Sequence, residues 1–125
     1  MFSHVMVGSN DIGKSKKFYD ALFGALGGKP GIADPKGRLI YIHNGSMFLV
    51  TPPIDGQPAC HANGGTIGFA VTSTEQADAW HKAGVEAGGT AIEDPPGWRE
   101  GTGMKLYLAY LRDPDGNKLC TMMRG

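Results

Sequence analysis

A short segment near the C-terminus carries three side chains of complementary chemistry. Between Pro95 and Gly103 stand Trp98, Arg99 and Glu100, which provide a flat apolar surface, a planar donor fork suited to carboxylates, and an acid. Two interpretations stay open. The segment is either a mobile loop that closes over a small organic ligand, or a surface hairpin whose tryptophan is partly packed.

Histidine and cysteine side chains supply further candidates. His43 ends a predicted strand on the same side as Tyr41, so it either lines a cavity or is exposed beside a turn. Cys120 is either a small packed side chain or a functional thiol. The run from Asp113 to Asn117 begins like a calcium loop, but the glutamate that such a loop requires does not follow. This run therefore predicts a turn.

The composition indicates a globular protein without a dominant charge. The chain has 125 residues, and its 12 Lys and Arg balance its 12 Asp and Glu, which argues against nucleic acid or an anionic membrane as partner. The longest apolar run, Leu106 to Leu111, is too short to span a bilayer. The N-terminus lacks the pattern of an export signal, so we predict a cytoplasmic protein with reduced thiols.

The first half of the chain reads as a strand, a helix and three strands. Alternation over Phe2 to Val7 predicts the first strand, and Asn10 or Asp11 can cap the helix that follows. Gly27 ends that helix, and Asn44-Gly45 predicts a tight hairpin. The three later strands are expected near Lys29–Ile32, Leu39–His43 and Met47–Thr51.

The second half repeats this order. Thr66 to Val71 predicts a strand, and Ser73 with Gln76 forms a capping box for the next helix. Gly88 ends that helix as Gly27 ended the first. The remaining strands are expected at Thr90–Glu93, Lys105–Leu111 and Asn117–Met122, with the Asp113 to Asn117 turn between the last two.

These elements predict one α+β domain over residues 1–125. Module one covers about 1–52, a linker about 53–65 and module two about 66–125. One long helix per module is expected to pack on the convex side of a curled mixed sheet. The predicted core consists of Val5, Val7, Phe18, Leu22, Leu49, Ile67, Phe69, Trp80 and Leu119.

Three segments of the chain, His4 to Val7, Ser15 to Tyr19 and Asp113 to Asn117, resemble the vicinal oxygen chelate superfamily. This is the glyoxalase, bleomycin-resistance and extradiol-dioxygenase group, and the resemblance covers essentially all of the chain. It is closest to the short glyoxalase-like members. The resemblance implies two βαβββ modules around a concave cavity, a small-molecule ligand in that cavity, and a homodimer that covers free strand edges.

Metal-using members of that superfamily take one ligand from the first strand and one from the last strand of each module. By resemblance, those four positions are His4, Val50, Thr66 and Cys120 in this chain. Only His4 and Cys120 could bind a metal, and a catalytic zinc needs at least three protein ligands. We therefore expect no tightly bound cofactor, although a weakly bound divalent metal is compatible with the pair.

Alternation along the strands gives a predicted concave face. Its members are His4, Tyr41, Val50, Thr66, Tyr107 and Cys120, with Trp98 and Arg99 at the rim. The candidate catalytic residues among them are His4, Tyr107 and Cys120. The candidate ligand-binding residues are Tyr41, His43, Val50, Thr66, Trp98 and Arg99.

Three functions stay open for such a face. The first is a lactoylglutathione lyase-like enzyme, a lyase or isomerase on a small carbonyl or thiol adduct. The second is a metal-free protein that sequesters a ligand, as bleomycin-resistance proteins do. The third is an enzyme that uses Tyr, His or Cys side chains without a metal. The missing ligands favour binding over metal chemistry, and the zero net charge argues against a strongly acidic groove for a cationic drug.

Overall fold

The elements of the first half follow their cap and turn signals. A computed structural model describes every residue from Met1 to Gly125. The side chain of Asp11 caps the first helix by accepting a hydrogen bond from the Lys14 amide at 3.1 Å. Asn44 and Gly45 have φ values of 49° and 79°, as a tight hairpin requires. The elements are β1 (His4–Gly8), α1 (Ile12–Ala25), β2 (Ile32–Ala33), β3 (Leu39–His43) and β4 (Ser46–Thr51).

The second half contains one strand that was not expected. Gly97–Gly101 pairs antiparallel with Met104–Arg112, so the mobile-loop interpretation is wrong and the hairpin interpretation is confirmed. The predicted capping box is present, since the Ser73 hydroxyl accepts from the Gln76 amide at 3.0 Å. The elements are β5 (Ile67–Ala70), α2 (Thr74–Glu86), β6 (Thr90–Ala91), β7 (Gly97–Gly101), β8 (Met104–Arg112) and β9 (Lys118–Arg124). Neither helix has the length and hydrophobicity of a membrane-spanning segment.

The strands form one mixed sheet per module. In the first sheet the order is β1-β4-β3-β2, and in the second it is β5-β9-β8-β6, with β7 also on β8. The first strand of each module is parallel to the last strand, and the other pairs are antiparallel. The α+β class is confirmed, but the strands of one chain form two sheets rather than one continuous curled sheet.

Both helices share one hydrophobic core with one face of each sheet. Fully buried members of this core include Phe18 of α1, Trp80 of α2, Val50 of β4 and Leu111 of β8. Each sheet therefore turns one face toward the helices and one face away from them. We call the second of these the open face. Of the predicted core, Leu49 is buried but lies outside this cluster, and Val5, Ile67 and Phe69 are partly buried against it. The predicted residues inside the cluster are Val7, Phe18, Leu22, Trp80 and Leu119.

A buried carboxylate joins the two modules. Asp113, in the turn between β8 and β9, accepts a 2.6 Å hydrogen bond from the hydroxyl of Tyr19 in α1. It also accepts from the amides of Asp115 and Asn117 and from the Asn117 side chain at 2.8 to 2.9 Å. Burial, followed by the charge of Asp113, raises the pKa of Tyr19 well above its usual value. The run from Asp113 to Asn117 is thus a turn, as predicted, and it fixes α1 against module two.

Close helix packing requires a glycine in α2. A Cβ atom at Gly84 would overlap Leu111 Cδ1 and would lie 3.0 Å from Leu22 Cδ1 of α1. The absence of that atom lets α2 approach α1 and β8 together.

Replacing Gly84 should therefore destabilise the fold. We expect Gly84→Ala to lower the free energy of unfolding by about 1 to 3 kcal/mol, the usual cost of overpacking a core, measured by urea denaturation. The matched control is Gly24→Ala in α1, where a Cβ would meet nothing within 4 Å. This control should gain about 0.5 to 1 kcal/mol from its lower backbone entropy in the unfolded chain. Equal effects of the two changes would contradict the packing argument.

Candidate functional site

Strand pairing decides which residues reach the open face of the first sheet. Directly paired residues share a face, and Val50 pairs with Val7, which lies in the core. The prediction that Val50 lies on the concave side was therefore wrong. Leu49 pairs with Met6 and takes the open-face position instead. His4 is placed as predicted, exposed on the open face and paired with Met47.

Tyr41 also faces the helices, contrary to the prediction. Its ring stacks on Phe23 with centroids 4.8 Å apart, and its hydroxyl donates to Asp20 at 2.8 Å. Burial, followed by this hydrogen bond, raises the pKa of Tyr41. His43 follows at the end of β3 and is half-buried on the same side, near Gly28.

In the second sheet, Tyr107 does not lie on the open face, contrary to the prediction from strand alternation. Tyr107 faces α2, where its hydroxyl donates to Asp78 at 2.6 Å, and this bond raises the pKa of Tyr107 to about 12. Trp98 lies on the same side with its ring edge-on to Tyr107, so it is not at the rim of the open face. Tyr110, three residues further along β8, reaches the open face in register with Cys120. The alternation that placed Cys120 could have identified Tyr110 once β8 and β9 were aligned.

Arg99 reaches the open side, but its guanidinium is hydrogen-bonded to backbone carbonyls. Its guanidinium donates to the carbonyls of Leu108 at 2.7 Å and Asp94 at 2.8 Å, and also to those of Gly97 and Pro95. Its Cζ lies 5.6 Å from the centre of the Tyr110 ring. These bonds fix the segment before β7 against β8, which explains why this segment is a hairpin.

Cys120 is placed on the open face as predicted. It is 8% exposed, it is not in a disulfide, and its neighbours in register are Tyr110 on one side and Gly68 on the other. A Cβ at Gly68 would lie 3.3 Å from the cysteine sulfur, so the glycine leaves space beside the thiol. Burial raises the pKa of Cys120, and Glu93 adds to this shift while Lys118 opposes it.

A cleft of about 350 Å³ opens between the first strands of the two modules. Its inner wall contains the rings of Phe23, Phe48 and Phe69, which lie 5.5 to 5.8 Å from one another. Its lining also includes His4 of β1 and Gly68 of β5, which lie on the open faces. The further lining residues include Tyr41, His43, Met47 and Ala70. Thr66 precedes β5 as an exposed residue outside this lining.

The open-face positions that correspond to the ligand positions implied by the resemblance carry few donors. His4 and Leu49 occupy them in the first sheet, and Cys120 occupies one in the second. The imidazole of His4 has its Nδ1 hydrogen-bonded to Ser3 Oγ at 2.9 Å. No group of three His, Cys, Asp or Glu side chains lies close enough to bind one ion. This donor set does not fit a firmly held zinc or iron, which needs at least three protein ligands.

Comparisons with known proteins identify relatives of the whole chain. A family model described as the glyoxalase/bleomycin resistance protein/dioxygenase superfamily matches residues 1–121. The crystal structure of a glyoxalase/bleomycin resistance protein from Albidiferax ferrireducens T118 is 60% identical over 98% of both chains, with a TM-score of 0.92. Hypothetical protein SA1046 from S. aureus is 20% identical over 98% of this chain and 93% of its own, with a TM-score of 0.75. A lactoylglutathione lyase from Agrobacterium tumefaciens is 16% identical over 98% of this chain and 92% of its own, with a TM-score of 0.66. This likeness is one of fold. No curated protein matches the chain.

The donor set predicts the metal content of the purified protein. Protein prepared without chelator or metal-affinity resin should contain far less than one zinc, nickel, iron or manganese per chain, as measured by elemental analysis. A value near one per chain would show that the donor set is misassigned. In that case His4→Ala would test whether the imidazole holds the ion, since loss of one ligand should release it.

Proposed function

Because the chain belongs to the glyoxalase/bleomycin resistance protein/dioxygenase superfamily, we propose that it binds a small organic molecule without a tightly held metal. The observation that supports this most directly is the cleft lined by β1 and β5, whose lining includes the open-face residues His4 and Gly68. We call the cleft and the parts of the open faces next to it the binding site. In this proposal the protein sequesters its ligand.

The lining of the cleft has the makeup of a small-molecule pocket. Its volume of about 350 Å³ falls within the range of such pockets, and most of its wall is aromatic or aliphatic. The polar side chains of the lining, among them His4, His43 and Ser46, can orient a ligand. An apolar body with one or two polar groups fits this distribution.

Metal-dependent lyase chemistry receives less support from the residues. By resemblance, metal-using members carry a glutamate on the last strand of module one and a histidine on the first strand of module two. Here the open-face residue of that last strand is Leu49, in place of the predicted Val50, and the first-strand position carries Thr66. A hydrocarbon and a hydroxyl replace a carboxylate and an imidazole, so an ion there would lack half of its ligands. Sequestration needs none of these groups.

We also propose a homodimer in which a second copy covers the open faces. Met6, Ile42, Met47 and Met122 are each more than a third exposed there, a large apolar surface for one chain. The outer edges of β1 and β5 are also unpaired, since each pairs with a single neighbour. A second chain would bury both features and provide the opposite wall of the binding site.

The dimer is tested by mass in solution. Light scattering should give twice 13.2 kDa. A charge at Ile42, which is 65% exposed on the open face, should raise the dimer dissociation constant by about tenfold or more, because Ile42→Glu places a charge in an apolar interface. The control Ile54→Glu lies in the linker, fully exposed, and should change nothing. A 13.2 kDa species that persists at high concentration would contradict the dimer.

The two cysteines offer a direct test of ligand binding. Small organic molecules that raise the melting temperature are first selected from a panel, and alkylation of each thiol is then followed by mass spectrometry. At a ligand concentration of ten times Kd, about a tenth of the sites stay free, so alkylation of Cys120 should slow about tenfold. Labelling is done at alkaline pH, because burial raises the pKa of this thiol.

Cys60 serves as the internal control in the same sample. It is exposed in the linker, so a ligand in the binding site should not change its rate of alkylation. If the selected ligands leave Cys120 as reactive as in the free protein, they bind elsewhere and the proposed site is wrong. If both cysteines slow equally, the ligand acts on the reagent and not on the protein.

A further inference from the structure

The open face of the second sheet has a regular arrangement of side chains across β8 and β9. Four register pairs cross it in sequence: Arg112 with Lys118, Tyr110 with Cys120, Leu108 with Met122, and Leu106 with Arg124. We call these eight residues the strip. The two middle pairs are apolar, aromatic or thiol side chains, and cations stand at both ends. Beside the middle of the strip, β5 contributes only Gly68 and Ala70, which leaves a shallow trough.

The cations of the strip carry more charge than their neighbours neutralise. Lys118 forms an ion pair with Glu93, but neither Arg112 nor Arg124 is in any of the three ion pairs of the structure. Arg112 donates to the Gly116 carbonyl at 2.6 Å, and a carbonyl accepts the hydrogen bond without cancelling the charge. Arg99, next to the strip, likewise donates only to carbonyls.

Two of these cations lie over the aromatic ring at the centre of the strip. Lys118 Nζ is 5.0 Å from the centroid of the Tyr110 ring, and Arg99 Cζ is 5.6 Å from it. The ring faces the open side and sits beside Cys120 and the trough. A ligand that lies beside this ring therefore meets an apolar surface with positive charge next to it.

We propose that the ligand of the binding site is an organic anion with a flat apolar body. This inference rests on the proposed function and adds the charge class of the ligand. The apolar body would lie on the strip and in the trough, where Tyr110 and Met122 provide contact area. Its carboxylate, sulfonate or phosphonate would lie toward Lys118 and Arg112, or toward Arg124. Such a group would relieve the mutual repulsion of cations that have one carboxylate partner, Glu93, among them.

A matched pair of fluorescent probes tests the charge class. 1-Anilinonaphthalene-8-sulfonate carries a sulfonate, and N-phenyl-1-naphthylamine has the same ring body without it. We expect the sulfonate probe to bind at least about tenfold more tightly than the neutral probe. This factor is at the lower end of what a hydrogen bond to a charged group contributes to affinity. Added salt should weaken the sulfonate and leave the neutral probe unchanged.

Single-charge variants locate the effect. One of the two variants Lys118→Gln and Arg124→Gln, the one at the end that holds the sulfonate, should weaken the sulfonate by roughly three- to fivefold, the scale of a contact between partly exposed charges. The neutral probe should bind these variants as it binds the original protein. The control is Lys17→Gln on α1, which also removes one exposed cation but lies far in the fold from the strip. This control should leave both affinities unchanged.

The outcomes separate the inference from the proposed function. Equal affinity for the two probes, or a loss in Lys118→Gln and in Arg124→Gln that is no greater than in Lys17→Gln, overturns the charge class while the binding site stands. Saturable binding of the neutral probe that protects Cys120 from alkylation supports the site in that case. If neither probe binds, the inference and the proposed function both fail.

Discussion

The buried carboxylate of Asp113 is the interaction on which the arrangement of the two modules depends. A carboxylate removed from water is costly unless hydrogen bonds replace its hydration, and Asp113 receives four. Three come from its own turn and one comes from Tyr19 of the other module. The same group therefore shapes the β8–β9 turn and fixes α1 to it. Asp115 adds a second link by accepting from the Asn10 amide at 2.8 Å.

The consequence of this link is that the helices pack together between the sheets. Gly84 allows α2 to meet α1 and β8 at short distance, so one core serves both modules. The opposite faces of the sheets are then left to solvent within one chain. The apolar residues on them, the free edges of β1 and β5, and the cleft between these strands are all results of one packing arrangement. The candidate site is thus built from what the core does not use.

The order and ends of the elements could be predicted from sequence, but the facing of several strands could not. Caps and turns depend on local chemistry, so Ser73, Gly27 and Asn44-Gly45 indicated them reliably. Strand facing has a period of two, and a shift of one residue reverses it. In the run Met47 to Thr51 nearly every residue is apolar, so alternation could not distinguish Leu49 from Val50. The pairing of β4 with β1 decides it, and that pairing is a long-range contact.

The two tyrosines of β8 show the same limit in another form. The hydroxyl of either tyrosine could form a hydrogen bond on the helix side of the sheet. Which of them faces the helices depends on Asp78 in α2, which accepts a hydrogen bond from the hydroxyl of Tyr107. A hydrogen-bonding partner on a distant helix leaves no local pattern in the strand. The prediction for Cys120 was correct because it took the adjacent Leu119 as core-facing, and Leu119 is fully buried on the helix side.

The net charge of zero did not predict how the charges are distributed in the fold, which is uneven. Three carboxylates accept tyrosine hydroxyls on the helix side of the sheets: Asp113, which is buried, Asp20, which is half-buried, and Asp78, which is exposed on α2. Arginines on the open side of the second sheet bond to carbonyls instead. Because these acids lie on the helix side and the cations border the open face, the two signs balance in number but not in position. The potential at the open face follows from the positions, and a sum over the sequence cannot report it.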